Sequence, residues 1–103
     1  MRIAVASSDG IVINQHFGRA NQFFIYQKDE TGITFIEKRV GIPFCHSMEH
    51  NEKDLKNAID QLWDCSAVFV LQIGNGAENE LRTRKIIPYV TRGLIEEVLM
   101  SEL

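Results

Sequence analysis

Short runs of apolar positions punctuate this chain, and apolar positions recur with a period elsewhere. Ile3-Ala4-Val5-Ala6 is a short continuous apolar run, and Ala67 to Ile73 is another, interrupted only by Gln72. Runs without alternation are expected of strands covered on both faces, as in a central parallel sheet. Gln22 to Gln27 is rich in aromatic and β-branched residues and predicts a further strand. Lys28-Asp29-Glu30-Thr31-Gly32 is a polar turn, and Ile33 to Val40 makes the next strand, so the pair should form an antiparallel hairpin. Asp9-Gly10 signals a turn before it, leaving Gly10 to Asn14 as a hairpin return or an irregular loop. From Asn51 the spacing becomes helical: Leu55, Ala58, Ile59, Leu62 and Trp63 fall on one face. Asn51 suits the N-cap, with Glu52 and Asp54 in the first turn. Gly74-Asn75-Gly76 ends the long apolar run. Ala77 to Lys85 then reads as a short helix, Ile86 to Val90 as a last strand, and Leu94, Ile95, Val98 and Leu99 as a closing amphipathic helix. Phe17, Phe23, Phe24 and Trp63 are expected in the core.

This order predicts an α/β domain over residues 1–103, with a mixed five-stranded sheet, one antiparallel hairpin strand and flanking helices. In such sheets ligands bind beyond the C-terminal ends of the parallel strands. Three segments are candidates for that edge: Ser7-Ser8-Asp9-Gly10 with the loop to His16, the segment around Cys45-His46, and Gly74-Asn75-Gly76.

Composition narrows the classes of function. The 103 residues carry a formal net charge of −3 and no basic run, which argues against nucleic acid. No apolar stretch approaches the roughly 20 residues that span a bilayer. Met1-Arg2 leads directly into a run that stops at Ser7, so neither a signal peptide nor a membrane partner is expected, and a cytoplasmic location is. A reducing compartment keeps the two cysteines as thiols. Cys65 opens an apolar run and should be a buried small hydrophobe. Cys45 follows Pro43-Phe44 and precedes a histidine, so it is the cysteine available to react or ligate.

The candidate chemistry lies in soft ligands at breaks between elements: His16 within Asn14-Gln15-His16-Phe17-Gly18-Arg19-Ala20, and Cys45-His46 within Ile42-Pro43-Phe44-Cys45-His46-Ser47. Thiolate and imidazole suit iron, copper, zinc and iron–sulfur centres. A lone histidine before an aromatic is more often a surface or packing residue than a ligand. His46 and His50 are four apart and would share one face if helical, although Ser47-Met48-Glu49 is not obviously helical. Gly18 serves a tight turn or a close backbone approach. Arg19 either offsets the charge of an anionic ligand or pairs at the surface. Gly74-Asn75-Gly76 either offers backbone N–H groups to an anion or is a plain turn into a helix. Two-metal phosphoryl transfer needs converging carboxylates. Asp9 could stand after the first strand, but Val68 to Ile73 brings no acid to its end. Neither a Ser–His–acid arrangement nor a Cys-x-x-Cys pair is present, so catalysis is not expected.

The opening Ile3-Ala4-Val5-Ala6-Ser7-Ser8-Asp9-Gly10, then Gln15-His16-Phe17-Gly18-Arg19-Ala20 and Phe23-Phe24-Ile25-Tyr26, resembles the dinitrogenase iron–molybdenum cofactor biosynthesis family. That family includes NifX, the NafY core and the C-terminal domain of NifB. The resemblance continues through Asp64-Cys65-Ser66-Ala67-Val68 and Ile73-Gly74-Asn75-Gly76-Ala77, and Phe44-Cys45-His46 is most similar to the NifB C-terminal branch. It implies a three-layer ribonuclease-H-like fold and a non-catalytic carrier or scaffold for an iron–sulfur-type metallocluster, such as the iron–molybdenum cofactor or its precursor. The partners it implies are proteins that donate or receive that cofactor. His16, Cys45 and His46 match the family's ligand positions, with Gly18, Arg19 and Gly74-Asn75-Gly76 shaping the pocket. Ser47-Met48-Glu49-His50-Asn51 stands where a glycine-rich stretch is common, which opens His50 and Met48 as further ligands. Two other readings fit the same residues: a mononuclear zinc or copper site built from Cys45, His46, His50 and His16, or a protein-interaction module without a metal.

Overall fold

The computed structural model describes residues 1–41 and 52–103 with their side chains, and residues 45–46 and 49–50 by their backbone pairing. Its elements in order are β1 (Arg2–Ala6), β2 (Val12–Ile13), the 3-10 turn η1 (Phe17–Arg19), β3 (Gln22–Asp29), β4 (Gly32–Val40), β5 (Cys45–His46), β6 (Glu49–His50), α1 (Glu52–Asp60), β7 (Ala67–Val70), α2 (Asn75–Thr83), β8 (Ile87–Val90), β9 (Gly93–Leu94) and α3 (Ile95–Glu102).

Five strands form one sheet in the order β4-β3-β1-β7-β8. β1, β7 and β8 run parallel, and β3 is antiparallel to both β1 and β4. The expected mixed sheet with one antiparallel hairpin strand is thus present. Successive side chains of a strand point to opposite faces, and the two cores divide accordingly. Ala4, Ala6, Phe23, Ile25, Val68 and Val70 pack under α1 and α2 with Leu55, Ile59, Leu62 and Leu81. Ile3, Val5, Ala67 and Phe69 pack under α3 with Ile95, Val98 and Leu99. All of Ile3 to Ala6 is fully buried, because β1 lies between β3 and β7 with helices on both sides.

Two departures from the periodic pattern have local causes. Trp63 is 79% exposed rather than in the core. α1 stops at Asp60, and residues 61–64 form turns, so Leu62 takes the buried position and the next side chain is turned outward. The central strand ends at Val70 instead of Ile73, because Leu71 and Gln72 leave β8 and bond to Gln15 and to Phe17, the first residue of η1. Asn51, expected as the N-cap of α1, lies outside the described residues.

A cluster of charges fastens the sheet to the α1–β7 connection. Arg39 on β4 donates two hydrogen bonds to Asp64, at 2.6 and 2.8 Å, and Arg2 at the start of β1 donates a third at 2.9 Å. Arg39 also donates to the Gln61 carbonyl at 2.8 Å. One carboxylate therefore holds the edge strand, the central strand and the α1–β7 connection together. Those bonds, Arg39's foremost, hold the Asp64 carboxyl well below the ordinary carboxylate range.

Candidate functional site

The loop after β1 is shaped almost entirely by its own polar side chains. Ser7, fully buried, accepts from the backbone N–H of Gly10 at 3.0 Å and donates to Asp9. Asp9 accepts from the N–H groups of Ile11 at 2.9 Å and Val12 at 3.2 Å, which holds its carboxyl below the ordinary value. Asn14 exchanges bonds with Ser8, and Gln22 donates to the carbonyls of Ser7 and Ser8. Gly10 sits at φ +75°, where a Cβ would also come within 2.7 Å of the Phe24 ring. Gly10 to Asn14 is thus an irregular loop rather than a hairpin return, apart from the two residues of β2, which pair with distant β9.

That framework delivers residues 15–19 to the end of β7. Leu71 N–H donates to the Gln15 carbonyl at 3.0 Å, and Phe17 N–H to the Gln72 carbonyl at 2.8 Å. His16 thus bridges Gln72 in a parallel sense. Phe17 is buried and its ring lies 5.8 Å from that of Phe23, which anchors η1 to the core. His16 caps η1: its Nδ1 accepts from the Gly18 N–H at 2.9 Å. Partial burial and the neighbouring Arg19 charge lower its pKa, so the neutral ring is favoured. With Nδ1 accepting, the neutral imidazole carries its proton on Nε2. Nε2 is then a donor to an acceptor atom of a ligand. It becomes a metal ligand only if its proton is lost or moves to Nδ1, which breaks the Gly18 bond. Metal-binding histidines ordinarily donate from the second nitrogen.

Gly18 is buried within the turn, and Arg19 is exposed at its end. Gly74 is the N-cap of α2 and its carbonyl accepts from Glu78 N–H at 3.0 Å, so Asn75 and Gly76 belong to the first helical turn rather than preceding it. Through Gln72, this turn and η1 lie on the same edge of the sheet.

The second ligand segment approaches the first. Cα atoms of β5, Cys45–His46, come within 8 Å of those of η1. β5 pairs antiparallel with β6, setting Cys45 opposite His50 and His46 opposite Glu49. His46 and His50 therefore stand on extended strands, and the helical i, i+4 pair considered above does not form. Their side chains and those of Cys45 and Met48 lie outside the described residues. Among the described residues no three His, Cys, Asp or Glu side chains gather to hold a metal ion.

Two residues at this edge carry weight that sequence reading did not assign. Gly41 is buried, its N–H donates to the Asn21 carbonyl at 2.9 Å, and a Cβ on it would lie 2.5 Å from the Ala20 carbonyl oxygen. It thus lets the start of the Cys45 segment lie against the end of η1. A glycine closing a strand is the signal that could have flagged it. Gln15, next to His16, has a buried Oε1 with no hydrogen-bond partner among the described residues. A loop glutamine carries no sequence signal for that. Cys65, by contrast, is buried as expected, and desolvation pushes its thiol up to about 12.

Comparison with known proteins places the chain in a family. The chain is 35% identical to the FeMo cofactor biosynthesis protein NifB of Azotobacter vinelandii, over 96% of its own length and 21% of that protein's. It is 36% identical to Protein NifY of Klebsiella pneumoniae, over 82% of its length and 35% of that protein's. The chain therefore spans about a fifth to a third of these relatives. The crystal structure of PH0822 shares the fold, with a TM-score of 0.74 at 23% identity, covering 99% of this chain and 89% of that one. The model of the family described as dinitrogenase iron-molybdenum cofactor matches residues 1–101, and the chain belongs to that family.

Proposed function

We propose that this protein is a small non-catalytic carrier that binds an iron–sulfur-type metallocluster of the iron–molybdenum cofactor class, or a precursor, and passes it to a protein partner in the cytoplasm. The observation that carries the reading is the approach of the Cys45–His46 backbone to within 8 Å of the η1 turn that His16 caps. Two soft-ligand segments, 26 residues apart between Arg19 and Cys45, thereby share one sheet edge. Membership of the family and the names of the NifB and NifY relatives support the choice of cargo. The strand order, with only the second strand of the sheet antiparallel, supports a ribonuclease-H-like fold.

In this reading Cys45, His46 and His50 supply metal ligands from the β5–β6 hairpin. His16 addresses the cargo through Nε2. As an N–H donor it suits a cluster sulfide, and as a neutral imidazole ligand it gives up the Gly18 bond. Arg19 offsets the negative charge of the cluster, and Gly18 and the Gly74-Asn75-Gly76 turn leave room for it. A cluster several ångströms across lets neighbouring residues address different metal atoms. Few ligands on loops favour reversible holding over permanent incorporation. Asp9 is committed to its own turn, which supports a carrier rather than a phosphoryl-transfer enzyme.

The test is anaerobic. Protein is incubated with an iron–sulfur cofactor precursor and desalted, and bound metal and sulfide are quantified for wild type, His16→Ala and Cys45→Ala. Stoichiometric coloured binding that both substitutions abolish is the expected result. A colourless, metal-free wild type would reject the carrier reading, as would equal binding by both variants. A stable zinc complex formed in air without cluster affinity would favour the mononuclear site instead.

A further inference from the structure

The two faces of the sheet are unequally covered. Five strands at about 4.8 Å spacing make a surface roughly 20 Å wide, and one helix covers about 10 Å. α1 and α2 together cover one face, whereas among the described residues the other has one helix, α3, seated over β1 and β7 beside Ile13 of β2. Beside α3, over β3 and β4, lies a groove of about 720 Å³ whose floor and walls include Tyr26, Ile33, Phe35, Leu99 and Met100. A second hollow of about 420 Å³ extends it past Ile11 and Leu94. Phe35 is 51% exposed and Met100 68%, large values for apolar side chains on a small domain. Contiguous apolar surface of this kind marks interaction sites.

The groove has a sign as well as a shape. Glu96 and Glu97 line both hollows. Glu96 lies close enough to Tyr26 to help raise the pKa of its phenol, after burial. We propose that this groove docks an amphipathic helix of a partner protein, its apolar face on Phe35 and Met100 and a lysine or arginine against Glu96 and Glu97. Such a helix would complete the second helical layer. A strand is the poorer occupant, because β4 carries a register break opposite Ile25–Tyr26 followed by Glu37, Lys38 and Arg39, features that discourage edge pairing. A second copy is also disfavoured. The helix it would offer, α3, bears Glu96, Glu97 and Glu102 with no lysine or arginine, and like charges would meet.

This inference does not depend on the carrier reading. The probe is a labelled 18-residue peptide with leucines at i, i+3 and i+4 spacing and lysines elsewhere, compared with its glutamate counterpart by fluorescence anisotropy against the full chain. Wild type should bind the lysine peptide at least tenfold tighter than the glutamate one. Glu96→Lys/Glu97→Lys should invert that preference, and Phe35→Asp should weaken lysine-peptide binding about tenfold with the melting temperature held. Glu52→Lys/Glu78→Lys, the same charge change on α1 and α2, should leave the preference intact. The proposal is overturned if the preference follows net charge alone in both double variants, or if Phe35→Asp binds as wild type does. A wild-type dimer that Phe35→Asp dissociates would also overturn it, in favour of a second copy.

Discussion

Replacing Gly41 by alanine tests whether the two ligand segments are packed as closely as the structure has them. Its backbone avoids the left-handed region, so the cost is steric rather than conformational. The added Cβ would sit 2.5 Å from the Ala20 carbonyl oxygen and 3.1 Å from two backbone carbons, and contacts under 3.0 Å are essentially never observed. The β4 end and the η1 end must separate by at least about half an ångström, and no flexible side chain can yield in their place. Overpacking of this kind costs about 1–3 kcal/mol. The lost unfolded-state freedom of glycine offsets about 0.4–1 kcal/mol of that. A net loss of about 1–2 kcal/mol lowers the melting temperature by about 5–15 °C in a domain of this size. Gly74→Ala is the steric control for the melts alone, since a Cβ there meets nothing within 4 Å, whereas its turn belongs to the proposed cluster pocket. Circular dichroism melts of the two variants and anaerobic cluster binding are the assays. Gly41→Ala should melt low and bind poorly, because half an ångström is about the tolerance of a preorganised site. If it melts with Gly74→Ala, the tight contact between the segments is not there.

Asp64→Asn should destabilise the fold by about 2–3 kcal/mol, below the 3–5 kcal/mol of a fully buried broken pair because Arg2 is 41% exposed. The folded carboxyl is depressed, so its contribution is full above the unfolded value near 3.9 and is lost as pH falls through the lower folded value. Denaturant titrations should therefore show a constant gap between wild type and Asp64→Asn from about pH 5 to 8, narrowing below about pH 4; a gap that persists unchanged in strong acid contradicts the assignment. Lys85, at φ +63°, terminates α2 with Ile86 N–H bonded to the Leu81 carbonyl. Lys85→Gly should stabilise by about 0.5–1 kcal/mol, the left-handed strain of about 1–2 kcal/mol less the entropy of glycine; a lower melting point would refute it. Cys65 should resist iodoacetamide in the native protein and react once unfolded, as peptide mass mapping can show, and native labelling would contradict its burial.

What could be read from sequence depended on range. β1, the β3–β4 hairpin and the buried faces of α1 and α3 follow from local periodicity, because each buries a continuous stripe. Trp63 sat on that same period, yet the helix had ended, and periodicity does not mark where a helix stops. β2 pairs through two residues with β9, about 80 positions later, and so short a long-range contact leaves no local pattern. His16 and Cys45 were recognisable as residue types at element boundaries and through the family resemblance. Their proximity was not, since it rests on the backbone bonds of Gln15 and Phe17 to the end of β7 and on the missing Cβ of Gly41. Nor could sequence reveal that His16 Nδ1 is already taken by Gly18.

If the η1 and β5 segments act as one cluster site, His16 and Cys45 must be coupled through the cargo they hold. A double-substitution cycle on anaerobic cluster affinity with His16→Ala and Cys45→Ala measures that most directly. Strong non-additivity is expected, each single variant losing nearly as much affinity as the double. Losses that simply add, or a variant that binds like wild type, would show that the two segments do not hold a common cargo.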